Sequence, residues 1–341
     1  MNQNEIKLGK TNISAKRIGM GGIPIQRLTV TESDCVLEKA VEMGINFYDT
    51  ARVYTDSEIK LGRILSKYRD RVVIATKTYS RQGTGVEKDL ETSLKNLTTD
   101  YIDLYICHNI SNENELQQVL APGGAIEAFL KAKQQKKIRH IGLSAHKPWI
   151  GIKALEQFDF EVIQIPFNIV ETKSAEELIP LAKLKNIGII GMKPAAGGAM
   201  KDVPLSLRFV LNNGIDVAIP GMDSVEQVIE NYAVLDTLSP LTEEEHRCLL
   251  AEKEVLGDNF CRRCEYCMPC PQGLPISFLH LLRFYYFNYD LKDWAWERIN
   301  ALPKSYKDCQ QCFECVNKCP YALETPTLFA EAWEDILKDR G

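Results

Sequence analysis

The stretch GINFYDTARVYTDSEIKLG, residues 44–62, decides how the chain folds. Ile45 and Phe47 read as a short buried strand closed by Asp49; Tyr54 stands five residues on, and helical spacing resumes near Asp56 or Ser57. Such strand-to-helix loops are where a rigid scaffold carries chemistry. Taken alone, Asp49 and Tyr54 are better explained as a turn cap and a surface aromatic. Lys77, ending the apolar run VVIATK, and His108, ending YIDLYICH, shift that balance. Buried strands seldom end in a lysine or a histidine through composition alone. As a set, the four ionisable side chains suggest one site.

Outward from this stretch a short apolar run, a loop and a helical pattern repeat. The spacing predicts strands over 17–21, 45–48, 72–76, 102–107, 140–144, 162–166, 188–192 and 217–220. It predicts helices over 32–43, 57–68, 86–97, 125–136, 149–158, 175–186, 205–212 and 225–235. Continuous apolar strands that alternate with helices are parallel and covered on both faces. Eight such units close into an α/β (β/α)8 TIM barrel, whose sites lie at the carboxyl ends of the strands, and there Asp49, Lys77 and His108 fall. An open doubly wound sheet is the alternative, but GMGGIP, residues 19–24, is not its glycine fingerprint. Residues 5–17 alternate around Gly-Lys-Thr-Asn and predict a hairpin ahead of the barrel.

In order and position, the loop from Asp49 to Tyr54, then Lys77 and His108, resemble the catalytic tetrad of the aldo-keto reductase superfamily, over roughly residues 6–235. The resemblance implies NAD(P)H-dependent transfer of hydride between nicotinamide and a carbonyl or alcohol substrate. It makes Tyr54 the general acid, Lys77 its tuner, Asp49 the carboxylate that holds Lys77, and His108 the group that orients the carbonyl oxygen. A phenol with a pKa near ~10 is a reluctant acid at neutral pH, and a neighbouring ammonium favours its phenolate. For the cofactor, the resemblance assigns Ser144 and Gln164 to the carboxamide, with Ala145 where the family has asparagine. Met192, followed by Lys193, stands where many members stack a tyrosine on the nicotinamide; a thioether can cover a ring face instead. His146 takes no family role. The segment IPGMDSVEQVIEN, residues 219–231, is similar to the family's IPG...Q..EN motif. It offers Gly221, Asp223, Ser224, Gln227, Glu230 and Asn231 to the adenosine half of the cofactor, and helix-terminal amides there suit phosphate. The segment contains no Lys or Arg for a 2′-phosphate and Asp223 would repel one, so NADH and NADPH both stay open.

Composition sets the remaining bounds. A net charge of -5 in 341 residues argues against nucleic acid as a partner. The basic run KAKQQKKIRH, residues 131–140, reads as the solvated end of a helix. The amino terminus has no secretory apolar core, and no run approaches the roughly 18 apolar residues of a membrane span, so a cytoplasmic protein without a membrane role is expected. Of 11 cysteines, eight lie between Cys261 and Cys319, a metal-bearing pattern rather than a disulfide framework. The expected organisation is therefore a barrel over 1–240, a linker helix over 241–258 and a cysteine-rich domain over 259–341.

CQQCFECVNKCP, residues 309–320, has the bacterial ferredoxin spacing, in which three thiolates take one [4Fe-4S] cluster and the fourth takes another. CRRCEYCMPCP, residues 261–271, is one residue shorter between its last two cysteines. By analogy Cys261, Cys264, Cys267 and Cys319 hold one cluster, and Cys309, Cys312, Cys315 and Cys270 the other; zinc ribbons are the alternative use of CxxC pairs. Barrel and tail together resemble the aldo-keto reductase branch with a carboxyl-terminal ferredoxin-like domain. Hydride carries two electrons and a cluster accepts one, so direct coupling needs a splitting centre such as a flavin, for which no motif is visible; a ferredoxin-like protein is the candidate electron partner. The alternative is an electron-transfer or redox-sensing protein whose barrel binds nicotinamide with little turnover.

Overall fold

A computed structural model describes residues 4–340 except 258–259, 264 and 289–290. The chain divides into two compact units, Met1–Ala196 with Asp202–Leu249, and Gly197–Lys201 with Leu250–Gly341.

In the first unit β1 (Glu5–Lys7) and β2 (Ser14–Lys16) form the antiparallel hairpin. Eight parallel strands follow in sequence order: β3 (Met20–Gly21), β4 (Phe47–Asp49), β5 (Val73–Thr78), β6 (Ile102–Cys107), β7 (Ile138–Ser144), β8 (Val162–Pro166), β9 (Gly188–Met192) and β10 (Val217–Ile219). Parallel bridges Ile18 to Ala218 and Gly21 to Gly221 join the last strand to the first and close the barrel. Its helices are α1 (Val30–Met43), α2 (Ser57–Leu65), α3 (Gly83–Leu97), α4 (Glu113–Leu120), α5 (Ala125–Gln134), α6 (Pro148–Gln157), α7 (Leu178–Leu184), α8 (Val203–Asn212) and α9 (Val225–Ala233), and the unit boundary at Leu249 falls within α10 (Glu243–Leu256). Local chemistry sets their ends. Thr29 and Glu32 form a capping box at α1, and Gly44, with φ 96°, ends it in the left-handed region.

The barrel interior is layered by the two-residue period of its strands. Phe47, Ala75, Ile106, Val162 and Ile190 belong to one buried apolar cluster, which Leu8, Ile13 and Ala15 of the hairpin segment complete from the amino-terminal end. Gly188 lets the hairpin approach, because a Cβ there would stand 2.5 Å from the Leu8 side chain. Two residues beyond that apolar layer come Asp49, Lys77, His108, Gln164 and Met192. The strand period thus delivers the expected site residues to one end of the barrel.

Two helical expectations need correction. The helix predicted over 57–68 ends at Leu65 and tightens into a 3-10 turn, Ser66–Arg71. The one predicted over 175–186 is only α7, preceded by a 3-10 turn at Lys173–Ala175. Pro180 has no N–H to donate, so the helix starts where proline falls in its first turn, whose amides need no helical partner. Helix α4 was not foreseen at all. Asn112 accepts the Glu115 N–H as its cap, and Leu116 and Val119 are its buried residues.

The second unit adds α11 (Ile276–Asn288), α12 (Lys292–Ala301), α13 (Glu314–Lys318) and α14 (Thr325–Arg340). Its core gathers Leu279, Leu282, Tyr286, Ile299, Tyr306 and Phe329, with Cys315 among the buried members. Among the described residues, no helix is long and apolar enough to cross a membrane.

Candidate active site and the cysteine loops

Asp49, Lys77 and His108 are 3%, 1% and 2% exposed, and Tyr54 8%. Lys77 Nζ donates to Asp49 Oδ2 at 2.6 Å and to Thr50 O at 2.7 Å. It also lies 5.2 Å from the centroid of the Tyr54 ring. Tyr54 meets the His108 imidazole edge to face at 5.9 Å, and Tyr79 packs on that imidazole at 4.3 Å. The four expected residues therefore converge on one place.

Their loops are pinned from behind. Ser57 Oγ donates to Gly22 O at 2.9 Å and accepts from Thr50 Oγ1 at 2.9 Å. The buried Glu58 carboxylate accepts from Thr76, Ser93, Asn96 and Arg52, which ties α2 to β5 and to the loop carrying Tyr54. Arg81 donates to His108 O, to Asn109 O and to Glu115 Oε2 at 2.8 Å, so α4 holds the loop after β6. Sequence reasoning missed Glu58, Arg81 and Glu115. Their only signal was an acid or a base within an otherwise ordinary amphipathic segment.

Burial opposes charge throughout the site. It pushes the Asp49 carboxyl up and the Lys77 ammonium down, while their mutual contact opposes both shifts. His108 is held well below the ordinary imidazole range by burial first, then by Lys77, Arg81 and Lys193. His146 is likewise depressed by burial, Lys193 and His108. Both imidazoles stay neutral in the fold but take a proton in the unfolded chain below pH ~6.5. The unfolded state then binds more protons, so stability present above that pH is lost as pH falls below it, by up to about 1.4 kcal/mol per pH unit for each histidine. Amide exchange in β6 and β7 between pH 7 and 5 measures this; opening free energies that stay flat would show that the buried imidazoles accept protons.

Gln164 is fully buried, and its Nε2 donates to Asp49 Oδ1 at 2.8 Å. Its Oε1 is buried with no hydrogen-bond partner. Ser144, paired with Gln164 across β7 and β8, accepts the Asn109 N–H at 2.8 Å. An amide held nearby would satisfy the Gln164 oxygen, which costs about 1–3 kcal/mol to leave unmade. Met192 ends β9, partly buried against the barrel core, and Lys193 follows it with φ 55°. Past β10, Gly221 packs so closely on Pro24 that a Cβ would lie 2.6 Å from its ring. Ser224 caps α9 by accepting the Gln227 N–H, and the Gln227 side chain returns to the Asp223 N–H at 2.8 Å. Gln227 and Glu230 are exposed and Asn231 is buried.

In the second unit the two cysteine runs share several backbone features. Left-handed residues flank the second cysteine position in each: Arg263 and Glu265 around position 264, Gln311 and Phe313 around Cys312. Position 264 lies outside the described residues, and with it the expected ligand Cys264. After the last cysteine, Gly273 N–H returns to Cys270 O as Ala322 N–H does to Cys319 O, again with positive φ. A buried leucine follows in each, Leu274 and Leu323, and then α11 and α14 begin. The missing residue of the first run is absorbed before Cys270. The Arg263 N–H points at Cys261 Sγ, 3.3 Å away. One small pocket is lined by Cys267, Cys270, Cys309, Cys312 and Cys315. Another is lined by Cys261, Cys267, Cys315 and Cys319. Among the described residues, no three His, Cys, Asp or Glu side chains converge tightly enough to hold a single metal ion.

A barrel with this tetrad defines a class, and comparison with known proteins names it. Residues 17–204, more than half of the chain, match the model of the Aldo/keto reductase family. The chain belongs to that family and is an oxidoreductase. It is 27% identical over 269 residues to the uncharacterized oxidoreductase YqkF of Bacillus subtilis, covering 73% of this chain and 83% of the relative. It is 28% identical over 285 residues to L-galactose dehydrogenase of Arabidopsis thaliana, covering 69% and 88%. An aldo-keto reductase from Klebsiella pneumoniae, solved in complex with NADPH, shares the fold with a TM-score of 0.64 at 24% identity, covering 73% of this chain and 94% of that one.

Proposed function

We propose that the chain reduces a carbonyl compound, or oxidises the corresponding alcohol, with nicotinamide as hydride carrier and Tyr54 as the acid. The observation that carries this reading is the buried chain of contacts from Gln164 through Asp49 to Lys77, ending 5.2 Å from the Tyr54 ring. Asp49 keeps the ammonium in place, and the ammonium favours the phenolate, so the Tyr54 O–H can release its proton as charge builds on the substrate oxygen. The neutral His108 offers that oxygen a hydrogen bond. A bound nicotinamide supplies the hydride. Gln164 Oε1 and Ser144 suit its carboxamide, Met192 its ring face, and Gly221, Asp223, Ser224, Gln227, Glu230 and Asn231 its adenosine half. The NADPH bound to the Klebsiella relative supports the cofactor class. The experiment is transfer of deuterium from C4-deuterated NADPH and NADH to an aldehyde panel. One deuterium on the carbinol carbon is expected; product formed without it would remove hydride transfer from the reading.

The second unit is read as a carrier of two [4Fe-4S] clusters. The support is the pair of cavities, each bordered by at least four cysteines, and the positive-φ residues that recur in the loops around them. Left-handed turns bring successive N–H groups to one side, an arrangement that stabilises thiolates and anionic clusters. Thiolates spread around a cavity suit a cubane better than one tetrahedral zinc. Cys270, Cys309, Cys312 and Cys315 form one ligand set, and Cys261, Cys267 and Cys319, with Cys264, the other.

A further inference from the structure

Two ionisable groups at the mouth of the barrel have no part in the proton transfer described above. His146 lies two residues beyond Ser144 at the end of β7, and Lys193 one beyond Met192 at the end of β9. His146 is buried, and Lys193 Nζ stands 3.5 Å from its Nδ1. Between these strands runs β8, so the lysine side chain spans the end of the strand that carries Gln164. The placement is built in. Lys193 holds a left-handed φ of 55°, which L side chains rarely adopt. Its carbonyl accepts from Asn168 Nδ2 at 3.1 Å, and Asn168 Oδ1 is anchored by the N–H groups of Val170 and Glu171.

The charges that depress His108 are Lys77, Arg81 and Lys193, all cations. Asp49 accepts from Lys77 and Gln164, Glu115 from Arg81, and Glu171 from the Asn168 amide. An anion arriving here meets the half-buried Lys193 ammonium beside the buried His146 imidazole.

We propose that Lys193, with His146 beside it, receives an anionic group of the substrate, so that the preferred carbonyl compound is an oxo acid with its carboxylate a few atoms from the C=O. The inference rests on the reductase reading. It also moves Lys193 from the cofactor, to which sequence position assigns it, to the substrate. A charge-assisted hydrogen bond corresponds to roughly 10- to 100-fold in kcat/KM.

The test compares a short series of aldehyde acids, 4-oxobutanoate among them, with neutral aldehydes of matched length, in the wild-type chain, Lys193→Gln and Lys193→Arg. NADPH affinity is measured by fluorescence in each. The wild type should prefer one of the acids by roughly 10- to 100-fold. Lys193→Gln should erase that ratio, chiefly through KM, and Lys193→Arg should restore part of it. Weaker NADPH binding with an equal loss on acids and neutral aldehydes would return Lys193 to the cofactor phosphates. Neutral aldehydes turned over with no preference for any acid would overturn the inference alone; no turnover of any aldehyde would overturn the reductase reading with it.

Discussion

Tyr54→Phe is expected to lower kcat/KM for every carbonyl substrate by about 10²- to 10⁴-fold, the range for removal of a positioned general acid. The substitution is unusually clean here. Phenylalanine keeps the ring that meets His108 edge to face and lies near Lys77, so the loop between β4 and α2 retains its packing. The hydrogen bonds that fix this loop, from Ser57 and Thr50 and through the Glu58 carboxylate, do not involve the phenol oxygen. NADPH affinity should therefore stay within a few-fold of wild type. His108 is the competitor for the acid role, and it is a poor one. Burial and three neighbouring cations keep it neutral, and a neutral imidazole N–H can hydrogen-bond an oxygen but does not readily protonate it. If Tyr54→Phe retains turnover, the proton comes from elsewhere and the tetrad roles must be reassigned.

The legibility of this site has a geometrical cause. A strand that is apolar at every inward position announces the next one when it is charged, and Asp49, Lys77 and His108 each stand two residues beyond a core member, Phe47, Ala75 and Ile106. Strand positions followed from the same period, to within two or three residues at their ends. The supporting shell was not legible, because nothing periodic marks which acid a base will meet. Glu58 is buried although it sits among charged and polar neighbours in the sequence, and Arg81 finds its partner on α4, a helix that the sequence reading passed over. Lys193 shows the limit most clearly: its position in the chain suggests the cofactor, whereas its contact with His146 depends on where β7 and β9 end in space. The cysteine runs present the opposite case. Their spacing was plain, yet residue counting set Cys270 apart, and the backbone turns that make it equivalent to Cys319 are visible only in three dimensions.

Removal of iron should have the largest effect on the second unit. Anaerobically purified protein is expected to be brown and to carry about eight iron atoms per chain, two cubanes of four. Among the described residues, no helix or strand lies within 260–275, and only a 3-10 turn, Tyr306–Asp308, stands between α12 and α13. Partly buried Cys267, Cys270 and Cys309 pack against its small apolar core. A core of that size rarely holds such loops without a metal or a disulfide. Chelation of iron should therefore expose the amides of α11 and α14 to exchange while the barrel strands stay protected. The ligand sets make a sharper demand. Cys270→Ser and Cys312→Ser should each remove the same cluster, leaving about four iron atoms, and Cys319→Ser should remove the other. That pattern requires Cys270 to belong with the second run despite its shortened spacing, as the shared cavity with Cys309, Cys312 and Cys315 implies. A colourless protein with stoichiometric zinc would sink the cluster assignment, and a Cys270→Ser variant with its full iron content would sink the role of that residue alone.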